Sequence, residues 1–375
     1  MISGRSRPMR VVVCGTRFGQ VYLSAIARAP ERFELVGILA RGSTRSVALA
    51  KEYGVPLYST VAELPDDVDA ACVVVSTAVG GGPGVELATA LLGRGIHVLQ
   101  EHPVHPAELA DCLRAARRAG TQYVVNTFYP HVEPVRQFIS AARTLVRLRQ
   151  PVFVDAICAV QVCFDLLDIL AEIFDGLRPW SLSAVGNRSG RPLTSVDGQV
   201  SGVPLTLRVE NRMQAGDDST SLLLHRITVG TDAGNLLLAN THGPVLWSPV
   251  LRTPADPAGV FLAGAADTDT RWSDVLGPTG DYVGAPLTPT WSGVVRELWG
   301  DGVLTALDDL RERIEAKVDP LRGGQRHLAV ATAWKELTET LGYPEVATPD
   351  PGDPLVVTDL LPAPQAVHSR PAGSR

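Results

Sequence analysis

The stretch Met9–Gly19, MRVVVCGTRFG, decides the fold of the first third of the chain. Its first five residues form a short apolar run that predicts a buried strand, and a glycine, Gly15, follows directly after Cys14. Phe18–Ala29 then carries apolar residues at helical spacing, so the stretch predicts a strand, a tight turn and a helix. Strand and helix patterns continue to alternate as far as Asn126, which indicates βαβ units and a doubly wound parallel sheet.

The pattern changes after about residue 129. Two helix patterns are followed by runs in which apolar and polar residues alternate, such as Val203–Asn211, VPLTLRVEN. Alternation of period two predicts antiparallel strands with one buried face. We therefore predict an α/β chain in three parts. These are a parallel-sheet domain over residues 1–128, an α+β domain with a large mainly antiparallel sheet over 129–347, and a proline-rich strap or disordered tail over 348–375.

Composition excludes several classes of protein. The chain has 375 residues and a net charge of −6, which argues against a protein built to bind a nucleic-acid backbone. No apolar run is long enough to span a membrane, and the N-terminal MISGRSRPMR lacks the apolar core of a signal peptide. Five cysteines without a CxxC pair predict buried thiols in the reducing cytoplasm and no metal site.

Gly15, Thr16, Arg17, Phe18 and Gly19 form the turn between the first strand and the first helix. In a dinucleotide-binding fold the pyrophosphate rests on backbone amides at this helix N-terminus, where a side chain would obstruct its approach. The turn is a degenerate GxGxxG, because Cys14 and Thr16 occupy the first two glycine positions. Its place at the first strand–helix junction predicts a Rossmann domain in which these five residues contact the cofactor.

The end of the second strand distinguishes between the two nicotinamide cofactors. An NAD-binding domain usually places a carboxylate there for the ribose 2′-hydroxyl, but this chain reads ARGSTRS over residues 40–46. Arginines and hydroxyls at a helix start suit a 2′-phosphate, so we predict NADPH; a capped helix with exposed arginines is the alternative. The predicted contacts are Arg41, Gly42, Ser43, Arg45 and Ser46, joined by Ser76, Thr77 and Gly80 from the loop after the fourth strand.

A second motif spans residues 95–103, GIHVLQEHP. It resembles the G-x-H-V-x-x-E-K-P segment of the glucose–fructose oxidoreductase and inositol dehydrogenase superfamily, whose lysine serves substrate and nicotinamide. Here His102 occupies the position of that lysine. The superfamily's H-x-x-D motif is matched best by residues 165–168, DLLD, with Asp165 in place of the histidine. The resemblance therefore implies the superfamily's fold without its alcohol-oxidising pair.

Three segments together, GTRFGQVYLSA, RGSTRS and GIHVLQEHPVHP, are similar to the thiazolinyl imine reductases of siderophore assembly lines. The similarity is clearest over residues 9–131, and its most specific piece is Gln100–Pro106, where EHP replaces EKP. It implies an NADPH-dependent reductase acting on a thiazoline ring that is held as a thioester on a carrier protein. The product would be a thiazolidine.

Reduction of a C=N bond needs a hydride on carbon and a proton on nitrogen, so an acid is expected where the parallel strands end. Tyr129 is the first candidate donor and Glu101 the second, with His102 as orienting group or alternate donor. Asp165 completes the predicted catalytic set, and Glu101 and His102 are also predicted to contact the cofactor. The structural alternatives are a packing role for Tyr129, a turn-fixing or ribose-binding role for Glu101, and a plain helix position for Asp165.

Two other functions stay open, namely a dehydrogenase or imine reductase of a free sugar-like molecule and a non-catalytic NADP-binding regulator. Retention of Glu101, His102 and Tyr129 together argues against the regulator.

Two partners are predicted. Carrier proteins are usually acidic, and one helix and its end present a candidate docking face made of Arg136, Arg143, Arg147 and Arg149; an ordinary solvated helix face is the alternative. The exposed face of the large sheet in residues 129–347 predicts a homodimer, so this part is expected to serve both substrate binding and dimerisation.

Overall fold

The structure is a computed structural model that describes residues 7–75, 82–186, 191–214, 221–252, 258–260, 277–286, 289–347, 353 and 355–361. The first sheet consists of β1 Met9–Cys14, β2 Phe33–Leu39, β3 Leu57–Tyr58, β4 Ala70–Val73, β5 His97–Glu101 and β6 Tyr123–Asn126. All neighbouring strands are parallel and lie in the order β3-β2-β1-β4-β5-β6. The predicted doubly wound sheet is confirmed, and its strand order reverses between β1 and β4.

Four helices connect these strands: α1 Gly19–Ala27, α2 Thr44–Tyr53, α3 Pro83–Gly93 and α4 Pro106–Ala119. The helical spacing of α4 predicts Leu109, Cys112, Leu113 and Ala116 as inner residues, and all four are buried. The spacing of α2 predicts Val47, Leu49 and Ala50 as inner residues; this is wrong for Val47, which is 52 % exposed, whereas Leu49 and Ala50 are buried. Residues three and four apart share a helix face, so the buried stripe that begins at Ser46 continues through Leu49 and Ala50 and leaves Val47 outside.

The second sheet has eight strands and is mainly antiparallel, as predicted. They are β7 Pro151–Ala159, β8 Trp180–Ala184, β9 Thr194–Val200, β10 Val203–Glu210, β12 His225–Thr231, β13 Gly234–Leu238, β14 Val245–Pro249 and β15 Asp281–Tyr282. Their order is β15-β14-β13-β12-β7-β10-β9-β8, and only β7 and β10 pair in parallel within it. A separate two-stranded parallel ladder joins β11 Arg212–Gln214 to β16 Glu345–Ala347.

Helices from the second part of the chain pack against both sheets. They are α5 Glu133–Leu148, α6 Cys163–Ile173, α7 Trp291–Gly293, α8 Trp299–Glu315, α9 Pro320–Gly323 and α10 Gln325–Leu341. A π-helical turn, Val294–Leu298, links α7 to α8. Helix α8 returns to α1, where Arg28 and Asp301 form an ion pair of 3.0 Å. The two sheets are therefore joined by one continuous apolar core.

Two further expectations can be compared with the described residues. All five cysteines are buried free thiols, as predicted. No helix in the described ranges is long and apolar enough to cross a bilayer. Most of the predicted tail over residues 348–375 falls outside the described residues, and the domain boundaries stay predictions.

Candidate active site

The turn after β1 can accept only glycine at residue 15. Gly15 has φ +98°, and a Cβ added there would lie 2.2 Å from the backbone oxygen of Val74. The Gly15 amide donates to the Leu39 carbonyl at 3.0 Å, which ties the turn to the end of β2. Gly19 then begins α1. Backbone without a Cβ at Gly15 and Gly19, at the start of α1, fits a dinucleotide pyrophosphate, and contact of this turn with the cofactor stays a prediction.

The start of α2 presents arginines beside a helix cap. Ser43 is the N-cap, and its hydroxyl accepts from the Ser46 amide at 3.2 Å. The Ser46 hydroxyl is buried and donates to the Ser43 carbonyl at 2.8 Å, so it is occupied within the cap. Arg41 and Arg45 are exposed, and neither forms an ion pair in the described part of the chain. Ser76, Thr77 and Gly80 lie outside the described residues.

Glu101 ends β5 in a buried polar cluster. It stands opposite Asn126, the last residue of β6, in the parallel register of the two strands. The Tyr22 hydroxyl of α1 donates to the Glu101 carboxylate, and the Asn126 side-chain amide lies 3.4 Å from the same carboxylate oxygen. Burial raises the pKa of Glu101 to about 7, although His102 and Tyr22 pull it down. This carboxyl group therefore exchanges its proton near neutral pH.

His102 is held from both ring nitrogens. Nε2 lies 2.9 Å from Asp165 Oδ2, and Nδ1 lies 3.2 Å from the Asn126 carbonyl oxygen. The Asn126 carbonyl can only accept, so Nδ1 donates, and an ionised Asp165 beside Nε2 favours the charged imidazolium. Burial alone would lower the pKa of His102, but Asp165 and then Glu101 outweigh it and raise the pKa to about 9. The peptide bond to Pro103 is cis.

Asp165 lies in the first turn of α6 and is fully buried. Burial raises its pKa, and the charge and hydrogen bond of His102 oppose that rise. The ring of Phe164, its neighbour on α6, stacks against His102 with a centroid distance of 5.9 Å. The structure thus brings Asp165 to His102, where the sequence had placed it only in a candidate set.

Tyr129 follows β6 and is 8 % exposed. Its ring packs edge-on against His225 of β12 at 5.2 Å between centroids. Burial raises the pKa of Tyr129, and the charges of Asp165 and Glu101 add to that rise, so the phenol keeps its proton. A buried phenol with its proton can donate to a ligand atom on this edge of the sheet.

Sequence reasoning missed three residues of the cluster: Tyr22, Asn126 and His225. Asn126 could have been found, because it ends the strand next to the one that carries Glu101. Tyr22 and His225 come from a helix face and from the second sheet, and nothing local identifies them. His225 is fully buried, and burial lowers its pKa to about 3, so it is neutral beside Tyr129.

Comparison with known families agrees with this geometry. Residues 9–127 match the model of the Gfo/Idh/MocA oxidoreductase family with an NAD-binding Rossmann fold. Residues 149–248 match the C-terminal domain model of the Irp3-like thiazolinyl imine reductases. No curated protein matches the chain. The parallel doubly wound sheet, the glycine turn after β1 and the two family matches together define an NAD(P)-dependent oxidoreductase. The two matches agree with the resemblance drawn from the sequence, the first in the nucleotide-binding part and the second in the C-terminal part.

Solved structures share the fold at low sequence identity. A dehydrogenase from Clostridium difficile is 11 % identical with a TM-score of 0.64, covering 88 % of this chain and 99 % of that one. An Agrobacterium radiobacter oxidoreductase in complex with NAD+, L-tartaric acid and magnesium is 11 % identical, with a TM-score of 0.63 and coverage of 88 % and 96 %. Biliverdin reductase from Synechocystis, in complex with biliverdin and NADP+, is 15 % identical, with a TM-score of 0.57 and coverage of 90 % and 100 %. These likenesses establish the fold alone.

Proposed function

We propose that the protein reduces the C=N bond of a thiazoline ring to a thiazolidine with NADPH, on an intermediate of nonribosomal peptide assembly tethered to a carrier protein. The observation that carries the proposal is the set of proton-bearing groups at the ends of β5 and β6. His102 lies between two carboxylates, and the protonated Tyr129 stands on the same sheet edge. The match of residues 149–248 to the thiazolinyl imine reductase domain supports this substrate class.

The residues around the glycine turn would hold the cofactor, which supplies a hydride when bound. The chain's own groups supply the proton for the ring nitrogen. We assign it first to Tyr129 and second to Glu101, whose pKa of about 7 suits a general acid at neutral pH. His102 orients Glu101 at 3.6 Å and is the alternate donor. Asp165 keeps His102 positively charged, which stabilises negative charge developing on the substrate.

NADPH is favoured over NADH by the start of α2. Arg41, Ser43 and Arg45 are exposed there, and no carboxylate forms an ion pair with either arginine in the described ranges. A 2′-phosphate would be neutralised by these arginines, whereas a ribose 2′-hydroxyl would find no acceptor carboxylate.

The test is the oxidation of NADPH by the purified protein, followed at 340 nm in the presence of a soluble thiazoline thioester mimic and of a carrier-bound thiazoline. We expect stoichiometric oxidation and a product heavier by two hydrogens, and no oxidation with the matched thiazolidine. Oxidation of glucose or inositol with reduction of NADP+, and no reaction with the thiazolines, would replace this proposal by a sugar dehydrogenase.

A further inference from the structure

Helix α6 carries a second buried carboxylate one turn beyond Asp165. Asp168 is fully buried, and its Oδ2 accepts from the Thr127 hydroxyl at 2.6 Å. Its Oδ1 lies 3.0 Å from Nε of Arg326, which comes from α10. Burial would raise the pKa of Asp168, but Arg326, His327, the Thr127 hydrogen bond and His131 together outweigh burial and lower it, so Asp168 is a charged acceptor. Arg326 also pairs with Glu172 Oε1 at 3.0 Å, which fixes the guanidinium from a second side.

Thr127 opens the turn that carries Tyr129. The Tyr129 amide donates to the Thr127 carbonyl at 2.7 Å, and Phe128 between them has φ 58° and ψ −67°. These are the features of a γ-turn of the rare form with positive φ, which is strained for a residue with a side chain. Such a conformation persists only where its surroundings hold it.

The surroundings hold this turn from two sides. The Phe128 amide donates to Asn126 Oδ1 at 3.0 Å, and the Phe128 ring is packed between Phe18 and Tyr129, each 5.1 Å away between centroids. On the other side the Thr127 hydroxyl is bound to Asp168. The two carboxylates of α6 therefore contact two different parts of the site. Asp165 binds His102 directly, and Asp168 binds Thr127, the residue that starts the Tyr129 turn.

We propose that Thr127, Asp168 and Arg326 are positioning residues that hold the γ-turn at Phe128 and thereby place the Tyr129 hydroxyl for proton donation. The proposal rests on the proposed function only in taking Tyr129 as the donor. None of the three touches the reacting atoms; Asp168 acts through Thr127, and Arg326 acts through Asp168.

The first test is kinetic. Thr127→Val keeps the side-chain shape and removes the hydroxyl, and we expect kcat to fall at least about tenfold with the Kd of NADPH unchanged, because small displacements of a catalytic group are costly. Thr127→Ser restores the hydroxyl and should return kcat to within about threefold of wild type. Thr121→Val removes the hydroxyl of another buried threonine, which bonds to the Ala116 carbonyl, and serves as the matched control with unchanged kcat.

A double-mutant cycle separates positioning from general structural damage. In a Tyr129→Phe background, Thr127→Val should have no further effect on kcat, because the group that it positions is already gone. An equal loss of kcat in both backgrounds would overturn the proposal. The melting temperature of each variant, measured in parallel, identifies any loss caused by unfolding.

A second test does not depend on the substrate. Hydrogen exchange of the peptide over residues 126–132 measures how well the Tyr129 amide is protected by its hydrogen bond to the Thr127 carbonyl. We expect faster exchange in Thr127→Val than in wild type, and wild-type exchange in Thr127→Ser and Thr121→Val. Unchanged exchange in Thr127→Val would overturn the positioning role. A wild-type protein that leaves thiazolines unreduced would overturn the proposed function instead, while this exchange result still decides the role of Thr127.

Discussion

At the scale of single residues, the site depends on the His102 ring, which has two nitrogens that can donate hydrogen bonds. In the related superfamily a lysine stands at the position of His102, and a lysine ammonium can turn freely among its acceptors. The imidazolium of His102 instead aims one N–H at Asp165 and the other at the Asn126 carbonyl. This fixes the ring plane, and it places a positive charge beside Glu101 in a buried cluster.

The role of Tyr129 is tested by Tyr129→Phe, which removes the hydroxyl and keeps the ring that packs on His225. We expect turnover to fall at least about 100-fold, the range typical for a lost general acid, with no change in the Kd of NADPH. Single-turnover NADPH oxidation and fluorescence titration measure the two quantities. Unchanged turnover would transfer the role to Glu101 or His102.

The pH dependence of kcat distinguishes Glu101 from the other two candidate donors, Tyr129 and His102. A donor works in its protonated form, so activity falls as the pH rises through its pKa. With Tyr129 as donor and a positively charged His102, we expect kcat to hold until the pH passes about 9, where His102 loses its proton. A fall centred at about 7 would assign the proton to Glu101. The Glu101→Gln variant, which has no titrating group at residue 101, is the control.

At the scale of elements, strand ends and helix starts set out the cofactor site. The turn after β1 is fixed by Gly15, whose position against Val74 leaves no space for a Cβ. The start of α2 is fixed by its Ser43 cap, which leaves Arg41 and Arg45 on the outside. The proposed preference for NADPH therefore depends on the turn after β1 and the start of α2, which lie at the same edge of the first sheet.

This arrangement predicts that Arg41→Ala discriminates between the two nicotinamide cofactors. Loss of a charged contact to the 2′-phosphate should raise the Kd of NADPH by about 10- to 100-fold, from the usual worth of a charge-assisted hydrogen bond. The Kd of NADH should change little, since NADH lacks that phosphate. Arg118→Ala at the exposed end of α4 is the matched control. Equal losses for both cofactors would contradict a 2′-phosphate site at Arg41.

At the scale of the whole molecule, the second sheet leaves one face without covering helices in the described ranges. Side chains on this face include Phe153, Thr206, Arg208 and Arg226, while the alternate residues are buried in the core. An extended sheet face of this kind suits a two-fold interface, and we expect a homodimer. Light scattering coupled to size-exclusion chromatography would give about 80 kDa for two chains of 39.9 kDa, and a mass near 40 kDa would exclude it.

The docking of a carrier protein also belongs to this scale. Arg143 and Arg147 of α5 are exposed, and they donate to the Glu172 carbonyl and the Thr144 hydroxyl rather than to carboxylates. Replacing both arginines with glutamate should raise KM for a carrier-bound substrate at least about fivefold, because the new negative charges would repel an acidic carrier protein. KM for the soluble mimic should stay unchanged. Arg117→Glu with Arg118→Glu on α4 is the control, and an equal effect there would contradict a specific docking face.

The sequence by itself determined the features that depend on neighbours along the chain. Hydrophobic period predicted the parallel and antiparallel sheets, and local rules predicted the glycine turn at Gly15 and a helix cap at Ser43 or Thr44. The resemblance to a known superfamily singled out the EHP corner at Glu101–Pro103. Only the tertiary structure decided which distant groups meet there. Tyr22 and Asp165 reach the corner from α1 and α6, and His225 of β12 packs on Tyr129. Their meeting depends on strand register and helix packing, which no local spacing encodes, and that same packing sets the pKa values on which the chemistry depends.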